Sequence, residues 1–230
     1  MKKTILSVCL VITLGSTLYA QARRATIVTY GDATLSVDPD QVKVSVGVTT
    51  RAVTAQDAAG QNATTVTAVI AAVQQAVGSK GTIKTTSYSV SPVYIYPQNT
   101  NPVLTGYTVS NTLDVTSSDI AGIGKVIDAA TNAGANNVAS LRFSVKDETP
   151  VRAKALQQAT INARSKAESI ALGVNLRVGN LISVQEGYNS QIVTVRAPTT
   201  TAGVASAPTT PVDPGLVQVT ASVTLELELN

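Results

Sequence analysis

Histidine and tryptophan are absent from the 230-residue chain, and cysteine occurs once, as Cys9. Without histidine, neither a Ser-His-Asp nor a Cys-His catalytic arrangement can be built, and a metal finds no imidazole ligand. One Phe and seven Tyr bring the aromatic content to 3%. That is too little for the aromatic girdles of an outer-membrane barrel, and helical patterns interrupt the strands such a barrel would need. What remains open is narrow: a Ser-Lys dyad, a carboxylate pair, or an oxygen-only cation site. The 44% of hydrophobic residues is mostly Val, Ala, Ile and Leu, enough for one core of small branched side chains.

The N-terminus has the pattern of an export signal. Met1-Lys2-Lys3 is followed by the apolar run Ile5–Leu14 and by small residues at Ala20 and Ala22. The run is too short to span a bilayer, so cleavage after Ala22 is expected. Residues 1–22 are thus read as a cleaved signal peptide, and 23–230 as a single domain. Val8 before Cys9 is too large for a lipoprotein box. The overall charge is +3, and losing Lys2 and Lys3 with the leader takes it to +1. The same cleavage removes Cys9, so the exported chain is expected to hold together by packing alone.

Along the mature chain, Thr26–Val37 reads as a strand with a bulge near Gly31-Asp32, and Asp38-Pro39-Asp40 as a turn. Val42, Val44, Val46 and Val48 alternate with polar residues, the period of a half-buried strand. A helix is expected from Val53 to Val77. Thr54 and Asp57 form its capping pair, Val66, Val69, Ile70, Val73 and Val77 its stripe, and Gly78 its stop.

The stretch Thr82–Thr116 reads as two long strands around a Pro97–Pro102 turn, carrying Tyr88, Tyr94, Tyr96 and Tyr107. Its position between two amphipathic helices predicts a hairpin at the middle of the sheet. Ser117-Ser118-Asp119 is expected to cap a second helix with Ile120, Ile123, Ile127 and Ala130 inward. Leu141–Val145 is a short strand. Thr149-Pro150 opens a third helix with Leu156, Ala159, Ala163, Ala167 and Ile170 inward. Val178–Tyr188 and Gln191–Arg196 read as strands, and 197–215, with four prolines, as a mobile surface loop. The closing stretch Leu216–Leu229 alternates without fault. Helices between antiparallel-capable hairpins give an α+β fold: a mainly antiparallel sheet with amphipathic helices on one face and a long central hairpin. Gln41–Ser91 and Gly106–Val145 both read strand-helix-strand, a weak internal duplication.

Residues that superficially suggest chemistry have plainer readings. Asp38 and Asp40, with Asp32 nearby, lack calcium-loop spacing and read as a turn. Gly122-Ile123-Gly124-Lys125 lacks the first Gly and the Ser/Thr of a phosphate loop, so its glycines read as close packing. Asp147-Glu148 are sequence neighbours that point apart. Arg142, Lys146, Arg152, Lys154, Arg164 and Lys166 make Leu141–Ala171 basic; without interleaved aromatics it reads as a solvated helix face, with contact to the anionic envelope surface as the alternative, and not as a nucleic-acid footprint. Tyr94, Tyr96 and Tyr107 are the residues that could touch a ligand or a subunit, with subunit contact preferred because tyrosine fills such interfaces well. Neither a catalytic residue, a metal ligand nor a cofactor is expected.

The order Val28-Thr29-Tyr30-Gly31-Asp32, then Asp38-Pro39-Asp40-Gln41-Val42, then Val93-Tyr94-Ile95-Tyr96 and Gly106-Tyr107-Thr108-Val109-Ser110-Asn111 carries a resemblance. So do Gly134-Ala135-Asn136-Asn137-Val138 and the Ala-rich Ala153–Ala171 helix. Across essentially the whole mature chain it resembles the bacterial SIMPL-domain family, of the periplasmic immunogenic protein and oxidative-stress defence protein type. One departure is Asp32, where the family often has Gly-Glu-Gly. The resemblance implies an exported, periplasmic or envelope-associated homo-oligomer with no established catalytic residues, and a link to stress defence. The reading that follows is a non-enzymatic envelope protein that assembles with itself. Its alternative is a module binding cell-wall or carbohydrate fragments through the hairpin tyrosines, and a His-free hydrolase ranks last.

Overall fold

The computed structural model describes residues 25–98, 101–187, 192–195 and 210–230. The expected leader, the hairpin apex at 99–100 and the first part of the Pro-rich loop, 197–209, lie outside them. The elements run β1 (Thr26–Val37), β2 (Gln41–Ala52), α1 (Ala55–Val77), β3 (Gly81–Ile95), β4 (Val103–Ser117), α2 (Ile123–Asn132) and β5 (Asn137–Ser144). They continue with α3 (Thr149–Gly173), β6 (Val178–Glu186), β7 (Ile192–Val195) and β8 (Leu216–Leu229). The fold is α+β and every strand pairing is antiparallel. The strands divide between two sheets instead of forming one.

The first sheet has the order β3-β4-β2-β5. Each strand-helix-strand stretch, β2-α1-β3 and β4-α2-β5, places its first strand at the centre and its second at an edge. The two stretches are therefore interleaved as a split βαβ pair, which gives physical form to the duplication. Val42, Val44, Val46 and Val48 face Val66, Val69, Val73 and Val77 of α1, with Leu113, Val115, Ile123 and Val126 completing this core. Thr54 caps α1 as expected: its Oγ1 accepts the Asp57 N–H at 3.1 Å and donates to the Asp57 carboxylate at 2.7 Å. Ile70, expected inside, is partly exposed, while Ala58 and Asn62 take the buried positions. The second helix starts later than Ser117–Asp119 suggests. Asp119 Oδ1 instead accepts the Gly122 N–H in the turn leading to it.

The second sheet has β8 at its centre, with β1 on one side and β6 and β7 in line on the other. The turn Asp38-Pro39-Asp40 therefore carries the chain from one sheet to the other and closes no hairpin. β1 pairs with β8 residue for residue from Thr26↔Glu228 to Val37↔Val217, so the bulge expected at Gly31-Asp32 does not exist. Gly31 serves a different need. A Cβ there would collide with the backbone of Ala159 and Ala163 on α3. Ala155, Ala159, Ala163, Ala167 and Ala171 line the buried side of that helix, one residue per turn. Ile170 lies outside it, 48% exposed. Small side chains on both surfaces let helix and sheet approach closely, and buried Thr29 donates its hydroxyl to the Ala163 carbonyl at 2.9 Å.

The last part of the expected loop is held in place. Thr210 donates through Oγ1 to Asp128 Oδ1 of α2 at 2.6 Å, and Val212 packs on the first core. Among the described residues, no helix is long and apolar enough to cross a membrane.

Candidate functional site

The most unusual surface is the β3–β4 hairpin. It was expected at the middle of a sheet, but β3 is an edge strand with β4 alone beside it among the described residues. Tyrosine and β-branched content signals a strand without saying which side of it is paired, so the error is intrinsic to the pattern. Ser87–Val93 pairs with Thr112–Gly106 in unbroken register between two shifts, one at Thr85/Ser87 and one at Val93/Tyr94. Counting alternate residues from buried Leu113 and Val115 puts Tyr88, Val90, Pro92 and Tyr94 on the same face as α1. Leu104, Tyr107 and Val109 join them from β4.

α1 covers only the base of this face. Its first turns sit over β2 and β4, where Thr50 donates to the Ala58 carbonyl at 2.8 Å. Asn62, fully buried, donates through Nδ2 to the carbonyls of Val48 and Val109 at 2.9 and 3.3 Å. Beyond that point no described element covers the ribbon: Tyr88 is 56% exposed, and Val90, Tyr94, Val103 and Leu104 are exposed as well. Gly106, at φ 154°, lies against the end of β2, where a Cβ would meet the Ala52 carbonyl.

Of the three tyrosines singled out from the sequence, Tyr94 and Tyr107 share this face as near neighbours across the ribbon. Tyr96 does not join them on the strand, because β3 ends at Ile95, and it stands 76% exposed. Residues that sequence reasoning did not single out, Val90 and Leu104, complete the apolar face. Their signal was the alternation itself, which leaves open whether a helix covers it.

Other polar groupings have structural roles. Asp40 Oδ1 accepts the Lys146 N–H at 2.6 Å and so ties the crossover to the chain after β5. Asp147 accepts the Thr149 N–H at 3.0 Å at the start of α3, and hydrogen bonding from Thr149 lowers its pKa. Gly124 packs against the Thr210 backbone, in keeping with close packing and not phosphate binding. Arg152 pairs with Glu186 at 2.6 Å and Arg164 with Glu168 at 3.0 Å, so much of the basic charge of α3 is answered locally.

A hydroxyl–carboxylate–ammonium arrangement does occur on the outer face of the first sheet. Ser45 Oγ donates to Asp114 Oδ1, and Lys43 Nζ lies by Asp114 Oδ2, both at 2.7 Å. The Lys43 ammonium first, and then the Ser45 hydroxyl, hold the Asp114 carboxyl below the usual range. A carboxylate stabilised in this way is a poor base, and it leaves the serine unactivated. Among the described residues, no group of three or more carboxylates could hold a metal ion.

Residues 27–227 match the family model described as "SIMPL: Protein of unknown function (DUF541)". The chain belongs to the SIMPL family. Within it, the chain is 28% identical over 166 residues to the 26 kDa periplasmic immunogenic protein of Brucella melitensis biotype 1, covering 70% of this chain and 66% of that protein. It is 28% identical over 159 residues to the uncharacterized protein YggE of Escherichia coli K12, covering 69% and 64%. With YggE of Edwardsiella ictaluri the identity is 33% over 94 residues, 41% of this chain and 39% of that protein. The matches thus span less than two-thirds of each of these relatives. The Brucella relative is named as a periplasmic protein.

Proposed function

We propose that this SIMPL protein is exported to the periplasm by a cleaved leader and acts there, without catalysis, as an envelope protein that assembles with itself. The observation that carries the reading is the uncovered ribbon of β3 and β4. Apolar faces of this kind on a folded domain ordinarily serve an interface, and tyrosine is well suited to one. The absence of histidine from the sequence and the neutralised Ser45–Asp114–Lys43 cluster favour a non-enzymatic role. A contribution to stress defence rests on the family resemblance alone.

Native mass spectrometry of the protein recovered from the periplasmic fraction tests processing, compartment and assembly together. The expected species begins near residue 23 and has a mass several times that of one chain. A protomer-sized species at micromolar concentration overturns self-assembly, and an uncleaved chain overturns the processing step.

A further inference from the structure

We propose that the outer edge of β3, between the Thr85/Ser87 register shift and Pro92, pairs antiparallel with the same edge of a second copy across a two-fold axis through Ser89. This rests on the self-assembly reading and names the surface that performs it. An exposed strand edge offers unpaired N–H and C=O groups, and folded proteins normally blunt it.

Each of the other edges among the described residues carries such a device. On β1, Asn162 Nδ2 donates to the Asp32 carbonyl at 2.8 Å and Lys166 Nζ to the Tyr30 carbonyl at 2.7 Å. Lys166 reaches round the strand to do so and lies 5.9 Å from the Tyr30 ring. β5 is kinked by Ser140 at φ 54° and changes register opposite Lys43/Ser45. β6 changes register at two places within its length, and β7 has only four residues. β3 changes register at Thr85/Ser87 and again at Val93/Tyr94 and carries Pro92, but the Ser87–Ser91 run between the first shift and that proline has no charge, no proline and unbroken pairing.

Proline fixes which groups point outward. Inside a sheet it is tolerated on an edge strand with its missing N–H facing solvent. Pro92 therefore sets the outward orientation for Pro92, Val90 and Tyr88, while Ser89 and Ser91 point their backbone groups at β4. A two-fold axis at Ser89 then sets Tyr88 opposite the partner's Val90, the two exchanging both backbone hydrogen bonds. On the other face, Ser87 meets the partner's Ser91. Apolar faces apolar, hydroxyl faces hydroxyl, and no like charges are opposed. This self-complementarity is what selects a second copy as the occupant. The union would join two four-stranded sheets and bring both exposed Tyr88 side chains under cover.

The test uses the full-length expressed chain carrying Cys9→Ser, so that an introduced cysteine is its only thiol. Ser89→Cys is expected to give a disulfide-linked homodimer as the major product on mild oxidation, while Val28→Cys on the blunted β1 edge stays monomeric on a non-reducing gel. Val90→Pro removes an outward donor without touching the β4 ladder, and should lower the native mass at least twofold with an unchanged circular dichroism spectrum. The Ser89→Cys readout stands whether or not Val90→Pro folds. An assembled wild type, with no disulfide-linked dimer of the Ser89→Cys variant and an unshifted, folded Val90→Pro variant, overturns the β3 edge and leaves self-assembly intact. A monomeric wild type overturns both, and capture of a different protein by the Ser89→Cys thiol in place of the homodimer overturns the β3 edge.

Discussion

The two helix-on-sheet units solve the same problem with opposite materials. Over β2 and β4, α1 and α2 bury a thick layer of Val, Leu and Ile; over β1 and β8, α3 presents a stripe of alanines to Gly31 and Ala33. The thin interface draws α3 so near that Asn162 and Lys166 reach the carbonyls of edge strand β1. The thick interface props α1 over the sheet centre and leaves the far half of β3 bare. Among the described residues the alanine-packed unit thus has its edge strand tied to the helix, and the Val-rich unit leaves the β3 edge bare.

If the thick core depends on volume, Leu113→Ala has the largest effect. Leu113 is 1% exposed, and its truncation should cost about 3 kcal/mol in urea unfolding through lost burial and a cavity. A loss below about 1 kcal/mol would show that this core relaxes freely and is not jigsaw-packed.

The thin interface should respond in the opposite sense, to added atoms. Gly31→Ala introduces one methyl into the α3 backbone and is expected to destabilise by about 2 kcal/mol. Gly60→Ala in α1, where a Cβ meets nothing within 4 Å, should stabilise by about 0.7 kcal/mol through helix propensity. Equal responses at the two glycines would erase the contrast.

A third change targets the closed edge. Asn162→Ala with Lys166→Ala removes both donors to β1 and should cost about 1 kcal/mol in total, because both sites are exposed. Its sharper readout is association: an uncapped β1 should raise concentration-dependent light scattering above that of the parent. No rise would mean that the two side chains do not guard the edge.

The smallest effect lies on the outer face of the first sheet. Because Lys43 and Ser45 lower the Asp114 pKa, the contribution of this carboxylate is present above its ordinary value and fades as pH falls through the depressed one. Asp114→Asn should therefore cost about 0.5 kcal/mol at neutral pH, and the difference from the parent should shrink only below about pH 4. A difference that vanishes already at about pH 6 would assign the titration to another group.

Much of this organisation is legible in the residues. The alternations of Val42–Val48 and Leu216–Leu229, the Thr54–Asp57 cap and the Thr149-Pro150 helix start all appear in the structure, because each depends on neighbours a few residues apart. What is not legible depends on long-range geometry. A turn such as Asp38-Pro39-Asp40 looks the same whether it closes a hairpin or crosses between sheets. Gly31 signals either a bulge or a close backbone approach, and only the arrival of α3 separates them. The tyrosines of the hairpin were found as candidates, but their placement at an edge, with Tyr96 beyond the strand, needed the sheet order.

The bare half of β3 is where the contrast between the two units meets function, and its behaviour in solution decides the matter. Native mass spectrometry of the periplasmic protein at micromolar concentration, beside its Val90→Pro variant, reads this directly. The expected result is an assembly for the parent and at least a twofold lower mass for the folded variant. Identical masses for the two, or a protomer-sized parent, would contradict it.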